Sequence, residues 1–119
     1  MPKLLLACRL LAGLVFFAFG IGKFTQHARE VDSFRSYGLP SPDAFVYAIG
    51  VLEIGGGLML ISGLLLPLAA LALAGDMVGA IVVSGIGEGE WISLTLAPAL
   101  LVAMLALLAD WRRHSGRGP

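Results

Sequence analysis

Four ionisable side chains stand inside stretches that are otherwise apolar: Arg9, Lys23, Glu53 and Asp76. A charge in a hydrocarbon medium is costly, so such groups are paired, neutralised or put to use, and they mark proton, ion or head-group sites by default. Glu53 is nine residues in from Ala44, roughly 13 Å along a helix. A carboxyl group at that depth needs a partner or a proton, and one that gains and loses a proton can relay it. Asp76 lies nine residues from Pro67 and poses the same problem. Two cations and two acids balance, with Lys23 facing Glu53 and Arg9 the natural partner of Asp76. The expected axial gap between Lys23 and Glu53 is roughly 13 Å, more than the two side chains span, so water or a ligand group is expected between them. His27 is a candidate helper at the mouth of this site, although a lone interfacial histidine ordinarily belongs to the surface. One acid per helix, no HxxxH and only His27 and His114 give a metal site no support.

The elements that must hold these groups are membrane spans. With 119 residues, 58% hydrophobic and 13% charged, the chain is too apolar for a soluble domain of its size. Its solvent is the lipid bilayer. The spacing predicts one membrane domain over residues 1–119, all-α, an integral membrane four-helix bundle with spans near 4–24, 44–64, 67–86 and 91–110. Each is long enough for the roughly 30 Å of hydrocarbon. A short interfacial helix is expected over 27–37, ended by Gly38 and Pro40. Ser41 is the expected N-cap of the second span, with Pro42 at its first position and Asp43 favoured by the helix dipole.

Small residues mark the packing faces. Arg9, Gly13, Phe16, Gly20, Lys23 and His27 follow steps of four, three, four, three and four, one stripe of a helix. Gly50, Gly56 and Gly57 flank Glu53 and let a neighbouring helix approach, and Gly75 with Gly79 makes a GxxxG pair. Pro98 is expected to kink the fourth span, with Trp91 and Trp111 as interfacial anchors.

Net charge is zero, which gives no reason to expect nucleic acid as a partner. Cys8 is the only cysteine, so neither an internal disulfide nor a CxxC redox pair is available. Only seven residues precede it, too few for the apolar region of a lipoprotein signal, so cleavage there is not expected. Lys3, Arg112, Arg113 and Arg117 share one side. Arg29 and Arg35, diluted by Glu30, Asp32, Asp43, Glu88 and Glu90, lie on the other, so cytoplasmic termini are expected.

Arg9 with Gly13, Phe16-Phe17, Gly20 and Lys23, then Phe34-x3-Gly38-x-Pro40, then Glu53-x2-Gly56-Gly57 with Leu60 and Gly63 together resemble the DoxX family of small four-span membrane proteins. The resemblance runs from about Arg9 to Ala80, and the fourth span is generic apolar sequence. It implies a multi-pass protein of the bacterial cytoplasmic membrane, related to proteins linked to quinone-coupled thiosulfate oxidation, oxidative-stress complexes or membrane-protein assembly. It carries over position only, onto Arg9, Lys23 and Glu53, and no catalytic residue. Asp76 rests on depth alone.

Three functions are in view. The first is a redox-associated subunit of an oxidoreductase complex, holding a quinone or lipid-like ligand near Lys23 and Glu53. The second is a non-enzymatic scaffold or assembly factor whose glycine faces dock other membrane subunits or a second copy in a homodimer. The third is a small proton-coupled transporter, against which stands a first span that carries cations instead of an acid.

Overall fold

The computed structural model describes residues 1–86, Gly89 and 91–115, without the side chains of 85, 86, 91–93 and 115. The chain forms α1 (Lys3–Thr25), α2 (His27–Ser36), α3 (Pro42–Ser62), α4 (Leu66–Ala80) running into a π-helical segment (Ile81–Ile86), and α5 (Trp91–Ser115). Four of these helical stretches are long and apolar enough to cross a membrane: Lys3–Thr25, Pro42–Ser62, Leu66–Ser84 and Leu94–His114. The protein is a multi-pass membrane protein. Its outward faces are correspondingly apolar, with Leu4, Leu11, Leu71 and Val102 among the most exposed side chains. A surface of this kind is stable only against lipid.

Antiparallel α1 and α3 make the tightest seam, because both present glycine along it. A Cβ on Gly13 would lie 2.9 Å from the Gly57 carbonyl oxygen, one on Gly20 2.8 Å from that of Gly50, and one on Gly57 2.6 Å from that of Gly13. Backbones this close exclude any side chain. Phe16, Leu60, Leu73 and Met104 are fully buried between the helices. Gly56 faces α4, where Leu73 fills the space its missing side chain leaves. Gly75 and Gly79 have nothing within 4 Å of a Cβ and stand exposed. Within the chain they pack no helix, unlike the seam their spacing suggested.

The turns follow from backbone conformation. Gly38 ends α2 and Gly63 ends α3, each at positive φ, the left-handed cap that glycine adopts without steric cost. Ser41 occupies the expected N-cap position of α3 without capping it through its side chain, and it takes φ 48°. The third span is not one continuous α-helix. Past Ala80 it widens, and the Ser84 hydroxyl donates to the Ala80 carbonyl at 2.8 Å. Such π-helical turns concentrate at functional sites. The interfacial role expected of Trp91 and the charges of Glu88, Glu90 and Arg117 fall outside the described residues.

Candidate functional site

The α1–α3 seam sets the level at which Lys23 and Glu53 meet. The position of a Cβ on Gly50 is 3.1 Å from Lys23 Cβ, so residue 23 stands level with residue 50, one helical turn from Glu53. Lys23 Nζ lies 2.7 Å from Glu53 Oε1. Its approach is off the hydrogen-bonding direction, which makes the contact an ion pair. Both side chains are buried, Glu53 with 3% of its side chain exposed and Lys23 with 11%. The expected gap is therefore absent: counting depth from the helix ends placed Lys23 too near the surface, whereas the glycine register brings it within one helical turn of the acid.

Asp76 joins this pair instead of Arg9. Glu53 stands ten residues before Gly63 and Asp76 ten after Leu66, so the tight α3–α4 turn carries both acids to the same height. Both carboxyls line the same cavity as Lys23, close enough to interact. Two carboxyl groups brought together in this way share a hydrogen bond only when one of them carries a proton. Asp76 Oδ2 is buried without a hydrogen-bond partner. From α2, Glu30 reaches Lys23 at 3.6 Å, with 30% of its side chain exposed.

Arg9 lies at the opposite end of the seam. Its guanidinium nitrogens come within 3.5 and 3.6 Å of the Cβ position of Gly63, and one of them is 4.0 Å from Met1 Sδ. A cation there faces the C-terminus of α3, where the helix dipole and free carbonyls favour it. Its Nε is buried without a hydrogen-bond partner. His27 also stands outside the cluster. Its Nε2 is 2.8 Å from Asp43 Oδ1 and its Nδ1 3.3 Å from the Lys23 carbonyl oxygen. The ring stacks on Tyr47 at 4.1 Å between centroids. Histidine thus clasps the start of α2 to the start of α3, directly behind Lys23.

The charged cluster forms one wall of a cavity of about 640 Å³. Lys23, Glu53 and Asp76 line it together with Glu30, and α5 contributes Leu96, Ala97 and Leu100. Phe34 and Tyr37 of α2 roof it, and Ala72, Gly75 and Gly79 line it from α4. Among the lining residues Phe45, Gly75, Gly79 and Leu96 are exposed, so the groove opens sideways toward lipid at mid-span. The volume falls within the range of small-molecule sites, and the mix of apolar walls with few convergent polar groups is typical of them.

One buried acid escaped sequence reasoning. Asp110, 5% exposed, pairs with His114 at 3.3 Å and Arg113 at 3.9 Å near the C-terminal end of α5. Standing at the last position of the expected fourth span, it was not counted among the intramembrane charges. The i+3 and i+4 cations were the available signal.

Known proteins sharpen the reading. The DoxX family pattern matches residues 4–85, which is more than half of the chain and includes Arg9, Lys23, Glu53 and Asp76. The chain belongs to the DoxX family. It is 40% identical over 84 residues to an uncharacterized membrane protein of Mycobacterium tuberculosis, covering 70% of this chain and 52% of that one. It is 32% identical over 77 residues to CatD of Bacillus subtilis, provisionally named an oxidoreductase, covering 65% of this chain and 56% of CatD. The matched region therefore spans about half the length of these relatives. No solved structure matches the chain significantly.

Proposed function

We propose that this DoxX protein is a redox-associated membrane subunit that holds a lipid-soluble, quinone-type ligand in the groove and handles the protons that accompany its chemistry. The observation that carries this reading is the pair of acids Glu53 and Asp76, neutralised in part by Lys23, lining an apolar groove open to the bilayer. Such a groove fits an amphipathic ring with a tail: the ring's polar atoms meet the ammonium and the carboxyls, and the tail meets leucine and alanine. Bound there, a quinone supplies the electron chemistry. Lys23 donates to an acceptor oxygen, and the carboxyl pair gives up or takes a proton at Asp76. The provisional name of CatD supports the oxidoreductase association. With one cysteine in the chain, electrons come from a partner subunit.

A scaffold reading draws less support. Gly13, Gly20, Gly50 and Gly57 are used up in the chain's own seam, and Gly75 and Gly79 line the groove.

Titrating the purified protein with a decyl-tailed benzoquinone tests the proposal. Saturable binding that weakens about tenfold or more in Glu53→Gln is expected, since a hydrogen bond to a charged group contributes about 1.5–3 kcal/mol. Binding that ignores the substitution removes Glu53 from the site, and no saturable binding removes the quinone.

A further inference from the structure

The groove has an unbalanced charge that a quinone does not cancel. Lys23 of α1 contributes one ammonium, whereas Glu30 of α2, Glu53 of α3 and Asp76 of α4 contribute three carboxyls. The described lining from α5, Leu96, Ala97 and Leu100, adds no charge. Glu30 is partly exposed and keeps some hydration. Glu53 is buried and Asp76 half-buried, and together they have Lys23 alone as a counterion among the described residues. In a medium of low dielectric the remaining negative charge must be met by a proton or by another cation. One state that meets it is a proton shared between Glu53 and Asp76.

We propose that lipophilic ammonium compounds form the other state. The cationic head replaces the shared proton between Glu53 and Asp76, and the alkyl chain lies beside Gly75 and Gly79, where the groove opens to lipid. Three observations converge on this class of ligand. The carboxyls of the site outnumber its one ammonium, Asp76 Oδ2 lacks a hydrogen-bond partner, and access is from the hydrocarbon, which concentrates amphiphiles. Anions are excluded by the same charges. The exchange is balanced: one ammonium enters and the proton held by the carboxyl pair leaves to water. This ligand class lies beyond the quinone reading, though it uses the same groove.

The test uses the full chain in phosphatidylcholine nanodiscs, titrated with decylammonium, decanol and decanoate, with empty nanodiscs as the blank. Decylammonium is expected to bind about tenfold or more tightly than decanol, the scale of a charge-assisted hydrogen bond, and to release close to one proton per molecule in weak buffer. Decanoate is expected not to exceed the blank. Asp76→Asn is expected to abolish both the preference and the proton release. Gly79→Leu fills the groove without meeting any atom within 4 Å of its Cβ, so it is expected to block the ammonium and the decyl benzoquinone alike while the protein stays folded. Equal affinity for decanol and decylammonium, or binding without proton release, overturns the inference even if every variant misfolds. Quinone binding with no ammonium preference overturns this inference and leaves the proposed function standing. Quinone failure with the ammonium preference intact does the reverse.

Discussion

Lys23 is the shared counterion of the cluster, and substitutions around it should be unequal for that reason. Lys23→Met leaves the carboxyls of Glu53 and Asp76 without a cation and is expected to cost about 3–5 kcal/mol, the range for breaking a buried ion pair. Glu53→Gln leaves Lys23 with Glu30 and Asp76 nearby, so a smaller loss of about 1–2 kcal/mol is expected. Unfolding in mixed detergent–SDS micelles measures both. A larger loss for Glu53→Gln than for Lys23→Met would mean that the ammonium is not shared. At this scale the sequence was informative about which charges lie within the bundle and less so about who meets whom. Depth identified Lys23, Glu53 and Asp76, since charges stand out against apolar runs. Pairing Asp76 with Arg9 followed from balancing charges by axial position, which ignores how the α3–α4 turn fixes levels. Counting equal distances from that turn finds Asp76 beside Glu53 without a structure.

At the scale of elements, glycine decides where backbones touch, and the two kinds of glycine in α3 should respond oppositely to alanine. Gly57→Ala places a methyl group 2.6 Å from a carbonyl oxygen of α1. Backbone cannot swing aside as a side-chain tip does, so a loss of about 1–3 kcal/mol is expected. Gly55 has nothing within 4 Å, and Gly55→Ala is expected to be neutral or to gain up to about 1 kcal/mol from helix propensity. The same micelle unfolding assay compares them. Equal effects at the two positions would refute the seam. The stripe from Arg9 to Lys23 was legible because its steps of three and four keep one helical face in register, whereas His27, its last expected member, falls beyond the end of α1 at the start of α2. The GxxxG spacing of Gly75 and Gly79 was misleading, because spacing records which residues share a face and not what stands opposite. The break at Ala80 was hidden: Ile81-Val82-Val83 reads as uninterrupted apolar helix, and the bond from Ser84 back to Ala80 shows only in three dimensions.

The whole molecule is a four-span bundle, and that much followed from composition and length alone, since runs of about 20 apolar residues admit few alternatives in lipid. An even number of spans returns the chain to its starting side. Reporter fusions at Met1 and after Ser115 are therefore expected to sit in one compartment, with a reporter inserted between Gly38 and Pro40 in the other. A split result for the two ends would remove one span. The groove itself was not legible in the sequence, because it is a space between elements: Ala72, Gly75 and Gly79 of α4 leave it open, and Tyr37 of α2 and Leu100 of α5 bound it from parts of the chain far apart.

How the four long helices share their contacts has a mechanical consequence. α1 grips α3, and α4 grips α5, while α3 meets α4 less extensively and α1 meets α5 least. The fold is thus two firm leaves joined along a softer spine, and the carboxyl-lined space lies in the spine. Spreading the leaves by a small angle widens it while the glycine contacts of the first leaf stay closed. Under the proposed function, a guest broader than the resting gap is expected to be admitted by swinging the two pairs apart, with no helix unwound.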